Sequence, residues 1–174
     1  MLIQNDMDIA FENGKITEIG KVNAKKGDVC YDLNGKYVMP GLINLHVHLP
    51  AGGKPKNKPL KAEKLAKFAL SNELIKSVVL KMCHAHAMQD LLSGVTTVRA
   101  VGGLGDLDTR LRDKIEEGMD GPRILAADYA ICVPNGHMAG SVSRVASSVE
   151  EAVAMVEDLA SHNVDLIKLM ITGG

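Results

Sequence analysis

Four apolar, strand-like runs recur along this chain with helical stretches between them, and that alternation is what most restricts its fold. The runs are "YVMPGLINLHVH", "GVTTVRAVGG", "GPRILAADYAICV" and "VDLIKLMITGG", with helical patterns near 61–92, 106–118 and 149–161. Strand and helix in alternation mean βαβ units and a parallel sheet, so the fold class is α/β. The boundaries are marked: Ser148-x-x-Glu151 is a capping box, and Gly118 with Gly121-Pro122 ends the preceding helix. Each run closes on turn-forming residues, at Pro50-Ala51-Gly52-Gly53, Gly102-Gly103, Pro134-Asn135-Gly136 and Gly173-Gly174. In parallel sheets and α/β barrels that C-terminal end of the strands is where chemistry is built. Ahead of this region, residues 1–36 carry two Asn-Gly turns, Asn13-Gly14 and Asn34-Gly35, flanked by short strand-like stretches. They read as a small antiparallel β unit.

The 174 residues suffice for one core-bearing domain with an appendage, and 46% hydrophobic with 24% charged residues is ordinary globular composition. A net charge of −1 gives no electrostatic footprint for nucleic acid or an anionic membrane. The partner implied is a small-molecule substrate. Cys30, Cys83 and Cys132 lie far apart and are odd in number, so free thiols in a reducing, cytoplasmic compartment are expected. No secretory leader or membrane-length apolar run is present in the sequence.

Within the first run, "NLHVHLP" places Asn44, His46 and His48 on one face of a strand. Neighbouring Cβ atoms on that face stand roughly 7 Å apart, a gap that two imidazoles leaning inward close around one cation at about 2 Å from each nitrogen. His84 and His86 repeat the spacing in a helical stretch. There they lie about 200° apart around the axis and cannot share an ion; they read as a helix-surface histidine and a packed one. His162 reads as a residue at a helix C-terminus, favourable to the dipole.

Lys168 interrupts "DLIKLMI". If its strand is central, low dielectric disfavours the ammonium, and the neutral amine is a nucleophile that can form a Schiff base, or add carbon dioxide to give a carbamate whose two oxygens are able to bridge metal ions. The alternative is a lysine snorkelling out of the strand end. His137, in the glycine-rich "VPNGHMAG", is placed to bind a substrate carboxylate or carbonyl oxygen. Arg99 is either an anion clamp at the same mouth or one half of an ion pair with a neighbouring strand. Lys54, Lys56, Lys58, Lys61, Lys64 and Lys67 follow the first run and read as a solvated face, with a basic lid as the alternative.

The motifs "GKYVMPGLINLHVH", "LLSGVTTVRAVGG", "GPRILAADYAICVPNGH" and "DLIKLMITGG", in this order, resemble the amidohydrolase superfamily, in particular its metal-dependent, prolidase-like dipeptidase branch. The resemblance covers Gly35 to Gly174, and "ENGKITEIG" extends it to the N-terminal unit. It implies the first half of a (β/α)8 TIM-type barrel, over residues 37–174, beside an N-terminal piece of a small β-sandwich. It implies two divalent metal ions, zinc being the natural partner of imidazole, with His46 and His48 on the more buried ion and a carbamate on Lys168 bridging both. A metal-activated hydroxide would attack an amide or peptide carbonyl, with His137 and Arg99 near the substrate. Ring hydrolases and deaminases of the same superfamily are the alternative, and a non-catalytic assembly module is another. Asn44 and Ala100 stand where the family usually has acids. A complete barrel of this kind needs about 250 residues, so the general base and remaining ligands are expected beyond Gly174. A four-strand half would be inactive alone and would need a second chain or copy over its open edges.

Overall fold

The computed structural model describes residues 4–53 and 62–172. The chain divides into two compact units, Met1–Pro40 and Gly41–Gly174.

In the first unit, β1 (Asp8–Glu12) and β2 (Lys15–Gly20) form an antiparallel hairpin around Asn13-Gly14. Both turn residues have positive φ, 50° and 74°, as the twist of a two-residue hairpin turn demands. Asn34-Gly35 makes the same turn, with φ of 50° and 71°, but no strands flank it. Tyr31 and Tyr37 there are exposed. A turn signal sets the chain reversal only; a ladder also needs an apolar face to bury, and these segments find none within the unit.

The second unit is α/β with parallel pairing throughout its sheets. Strands β3 (Leu42–Val47), β4 (Val95–Ala100) and β5 (Arg123–Ala126) pair in that order. Strands β6 (Ala130–Cys132), β7 (Ser143–Val145) and β8 (Leu169–Met170) form a second sheet in the order β7-β6-β8. Helices α1 (Ala62–Ala69) and α2 (Glu73–Leu92) lie between β3 and β4 in the chain, α3 (Leu107–Glu116) between β4 and β5, and α4 (Val149–Ser161) before β8. The main core joins Leu49, Val98, Ala100, Ile124 and Ala126 of the sheet to Cys83 and Ala87 of α2 and Leu111 of α3. A second core holds Tyr129 and Ile131 against Leu159 of α4.

Four segments differ from the sequence reading. The helical stretch at 61–92 is two helices, because Asn72, extended at φ −161°, turns its side chain to accept the Ile75 amide at 3.0 Å and starts α2 afresh. The run "RILAADYAIC" breaks into β5 and β6 at Asp128, which is left-handed at φ 55°. Strand β7 comes from a polar stretch, "SRV", without the apolar alternation by which a strand is read. The run "VDLIKLMITGG" narrows as well, to β8 alone with Lys168 just before it, whereas the ends of α3 and α4 follow their signals. At α4 the Ser148 hydroxyl accepts the Glu151 amide at 3.2 Å, and the Glu151 carboxylate accepts the Ser147 amide at 2.7 Å. Ser148→Ala is expected to cost about 1 kcal/mol, readable as a lower urea midpoint at unchanged m-value.

Among the described residues no helix is long and apolar enough to cross a membrane. Cys30 is exposed, Cys83 and Cys132 are buried, and all three are free. Lys54, Lys56, Lys58 and Lys61 lie outside the described residues. Lys67 pairs with Glu63 at 2.7 Å on a solvated helix face.

Candidate functional site

Strand β3 is an edge strand that turns inward at its C-terminal end: Ile43 and Leu45 are exposed, Val47 is half-buried and Leu49 is buried. His46 lies on the strand, and His48 is the first residue beyond it. Asn44, two residues earlier, accepts the His46 amide on its side-chain oxygen at 3.2 Å. An Asp oxygen could accept the same bond, so Asn at this position keeps the local turn.

The two imidazoles meet. Their Nε2 atoms are 3.3 Å apart, with ring centroids at 5.2 Å and planes at 69°. His48 Nδ1 donates to the Gly102 carbonyl at 2.9 Å, which leaves its Nε2 lone pair facing His46. This is the arrangement a metal-ligating histidine needs, one ring nitrogen anchored by a backbone oxygen and the other free. Two ligands of a tetrahedral ion with bonds of about 2.0–2.1 Å stand about 3.3–3.4 Å apart, so the pair fits a metal ion in donor type and spacing. The His46 imidazole is held below its ordinary pKa, first by desolvation and then by the charges of His48, Lys168 and Arg99. Loss of the proton is the state a ligand requires.

The charges of Lys168 and Arg99 are thus among those that His46 feels. Lys168 is half-buried immediately before β8, and its carbonyl accepts the Ile131 amide at 2.9 Å. Its segment is fixed by Asp165, whose carboxylate accepts the Ala126 amide at 2.8 Å and Arg112 at 2.9 Å. Arg99 donates from Nε to the Leu45 carbonyl at 2.7 Å. Its tie to the neighbouring strand is thus to a backbone oxygen, not to a carboxylate. His137 is exposed in the β6–β7 loop, with its carbonyl accepting the Ser143 hydroxyl at 2.8 Å and its amide donating to Thr172 at 3.4 Å. Thr172 follows β8, so the loop is tied to the far end of the strand that Lys168 precedes.

His84 and His86 behave as the helical geometry requires and go to different partners. His84 Nε2 donates to the Asp120 carbonyl and His86 Nδ1 to the Leu49 carbonyl, each at 2.7 Å. Both are half-buried, so neither is the fully exposed member of the surface-and-packed pair that the sequence suggests. His162 does cap α4, with Asp128 and Asp158 at 3.9 and 4.0 Å.

One group escaped the sequence reading. Asp108 and Asp128 are fully buried behind Gly102-Gly103. Asp128 accepts the Thr109 amide and hydroxyl at 3.0 and 2.9 Å, whereas neither oxygen of Asp108 has a partner among the described residues. Burial, and then the Asp128 charge, push the Asp108 carboxyl up to about 8. The signal was present at Asp128, an acid that interrupts an apolar run as Lys168 does. Asp108 sits in a helical pattern that reads as solvated.

Among the described residues no three His, Cys, Asp or Glu side chains gather as a metal-binding set. The two convergent imidazoles of His46 and His48 are the paired donors among the described residues.

Residues 37–174 match the Amidohydrolase family. The fold is similar to a crystal structure of an amidohydrolase, with TM-score 0.77 and 27% identity over 95% of this chain and 42% of that one. It is also similar to a putative prolidase from Bifidobacterium longum, with TM-score 0.70 and 31% identity over 97% of this chain and 36% of that one. Among curated proteins, imidazolonepropionase of Bacillus cereus (strain ZK / E33L) is 32% identical over 114 residues, 56% of this chain and 27% of its own length. The matches thus span well under half of each relative. With the paired histidines of its first parallel strand in the matched region, the chain belongs to the amidohydrolase family.

Proposed function

We propose that this chain is the N-terminal part of a metal-dependent amidohydrolase that cleaves the C–N bond of a dipeptide or N-acyl amino acid. The observation that carries the reading is the convergence of His46 and His48 at 3.3 Å, with one nitrogen of His48 already anchored. In this reading residues 37–174 supply the first four βα units of an eight-stranded barrel, beside the N-terminal β unit. The exposed Ile43 and Leu45 on edge strand β3 support it, since further strands of the protein or a second copy would cover them.

His46 and His48 would hold one divalent ion, zinc by ligand preference, and Lys168, as a carbamate, would add oxygen ligands. Bound there, the ion supplies Lewis acidity toward the scissile carbonyl. The chain's own residues set the geometry. Gly102 fixes the His48 ring, the Leu45 carbonyl holds Arg99 by its Nε, and the remaining guanidinium nitrogens are left to meet a substrate carboxylate. His137, on the loop tied to Thr172, is the second substrate contact. The general base and remaining ligands come from outside these residues, so the piece alone is inactive.

A second reading, a ring hydrolase or deaminase of the same family, is favoured by the likeness to imidazolonepropionase. The test is a substrate panel with the full-length protein reconstituted with zinc or manganese. Hydrolysis of Xaa-Pro dipeptides, with the mass of one carbon dioxide added on the Lys168 peptide, is the expected result. Turnover confined to cyclic amides with an unmodified Lys168 would move the assignment to the second reading. No turnover of either by metal-loaded protein would leave the assembly module.

A further inference from the structure

We propose that Asp128 is a positioning residue for His48, acting through the loop that joins β4 to α3. The inference rests on the reading of His48 as a metal ligand. Asp128 fastens that loop at both ends. Its backbone carbonyl accepts the Gly103 amide at 2.7 Å, where the loop leaves β4. Its carboxylate accepts the Thr109 amide at 3.0 Å and the Thr109 hydroxyl at 2.9 Å, where the loop enters α3. The Asp106 carbonyl, at 3.0 Å from the same hydroxyl, is the alternative acceptor for its one proton. Gly102, whose carbonyl takes the His48 Nδ1 proton at 2.9 Å, directly precedes the first fastening.

Three features say that the arrangement is built for holding. Asp128 is fully buried, yet it stands in the left-handed region at φ 55°, a conformation the surroundings must maintain. Gly102 is also in a glycine-favouring conformation, at φ 135°, and a Cβ there would lie 3.4 Å from the His48 ring. A Cβ on Gly103 would overlap the Asp108 carboxyl, so the loop packs directly against the buried acid pair. The loop therefore has little freedom to carry the Gly102 carbonyl away from His48, and the carboxylate of Asp128 is what ties its far end.

Removing that carboxylate should loosen the Gly102 carbonyl and with it the ring orientation of His48. Loss of such an outer partner costs about 10- to 100-fold in metal affinity. The test variants are Asp128→Gly, which tolerates positive φ, and Thr109→Val, which deletes only the hydroxyl. The full-length protein is used, at one fixed pH. The first readout needs no metal: imidazole nitrogen NMR of the metal-free protein, which reports the population of His48 with its proton on Nδ1. The second is the zinc dissociation constant.

The expected result is a loss of the Nδ1–H preference in both variants, with zinc binding weakened about tenfold or more in Asp128→Gly and several-fold in Thr109→Val. If Asp128→Gly does not fold, Thr109→Val decides on both readouts. Folded variants with wild-type His48 signals and wild-type zinc affinity would overturn the proposal and leave Asp128 a purely structural acid. A wild-type protein that binds no zinc would overturn the metal reading instead, while the metal-free NMR comparison would still decide whether Asp128 positions the ring.

Discussion

His48→Ala is expected to weaken zinc or cobalt binding by more than about 100-fold while leaving the fold in place. The lower bound follows because removing a first ligand must cost more than removing the partner that orients one, itself about 10- to 100-fold. The ring's only hydrogen bonds among the described residues are to the Gly102 carbonyl and the His46 ring. Its loss should therefore cost about 1 kcal/mol of stability, far less than the binding effect. His46→Ala should behave alike, since an ion held by two convergent nitrogens loses its site with either one. His84→Ala is the internal comparison: the same residue type and H-x-H spacing, but on α2 and bonded to the Asp120 carbonyl. Isothermal titration of the three variants, each checked by circular dichroism, measures the difference. Equal affinities for His48→Ala and His84→Ala would sink the metal assignment, because spacing without convergence would then serve as well.

The contrast between those pairs shows how much of the site is legible in sequence. Strand periodicity alone puts His46 and His48 on one face, and helix periodicity alone separates His84 from His86, so both outcomes follow from the backbone repeat. The sequence of strands and helices in the second unit is legible for the same reason. What the repeat does not encode is tertiary. Asp128 breaks one apolar run into β5 and β6 at a left-handed backbone, and its carboxylate is held by Thr109, 19 residues away. Strand β7 exists because β6 offers it a parallel partner, not because of its own polar sequence. The Gly102 carbonyl that orients His48 is invisible in principle, since any residue supplies a carbonyl. Only the glycine pair hints at a close backbone approach there.

Stability should fall as pH rises from about 4 to about 8, and Asp108→Asn should remove most of that fall. In the unfolded chain Asp108 releases its proton near its ordinary value of 3.8, whereas in the folded chain burial and the Asp128 charge hold it up to about 8. Between those values the native state binds a proton that the unfolded state has lost. Stability then declines with pH, at up to about 1.4 kcal/mol per pH unit, and levels off outside the window. Burial raises the Asp128 carboxyl as well, so it adds a contribution of the same sign. Asp158, held down chiefly by the Tyr129 hydroxyl, acts in the opposite direction and only as pH falls into the carboxylate range. The carboxamide of Asn is close in size to the carboxyl and neutral throughout. The variant should accordingly match or trail the wild type below about pH 4 and exceed it at pH 8.5 by a few kcal/mol, to order of magnitude. Urea titrations of both proteins at half-unit pH steps read this directly. Parallel curves across the window would mean that Asp108 finds a partner in solution and is ionised when buried. Its contact with Gly103 would then be an ionic support of the β4–α3 loop rather than the packing of a neutral acid.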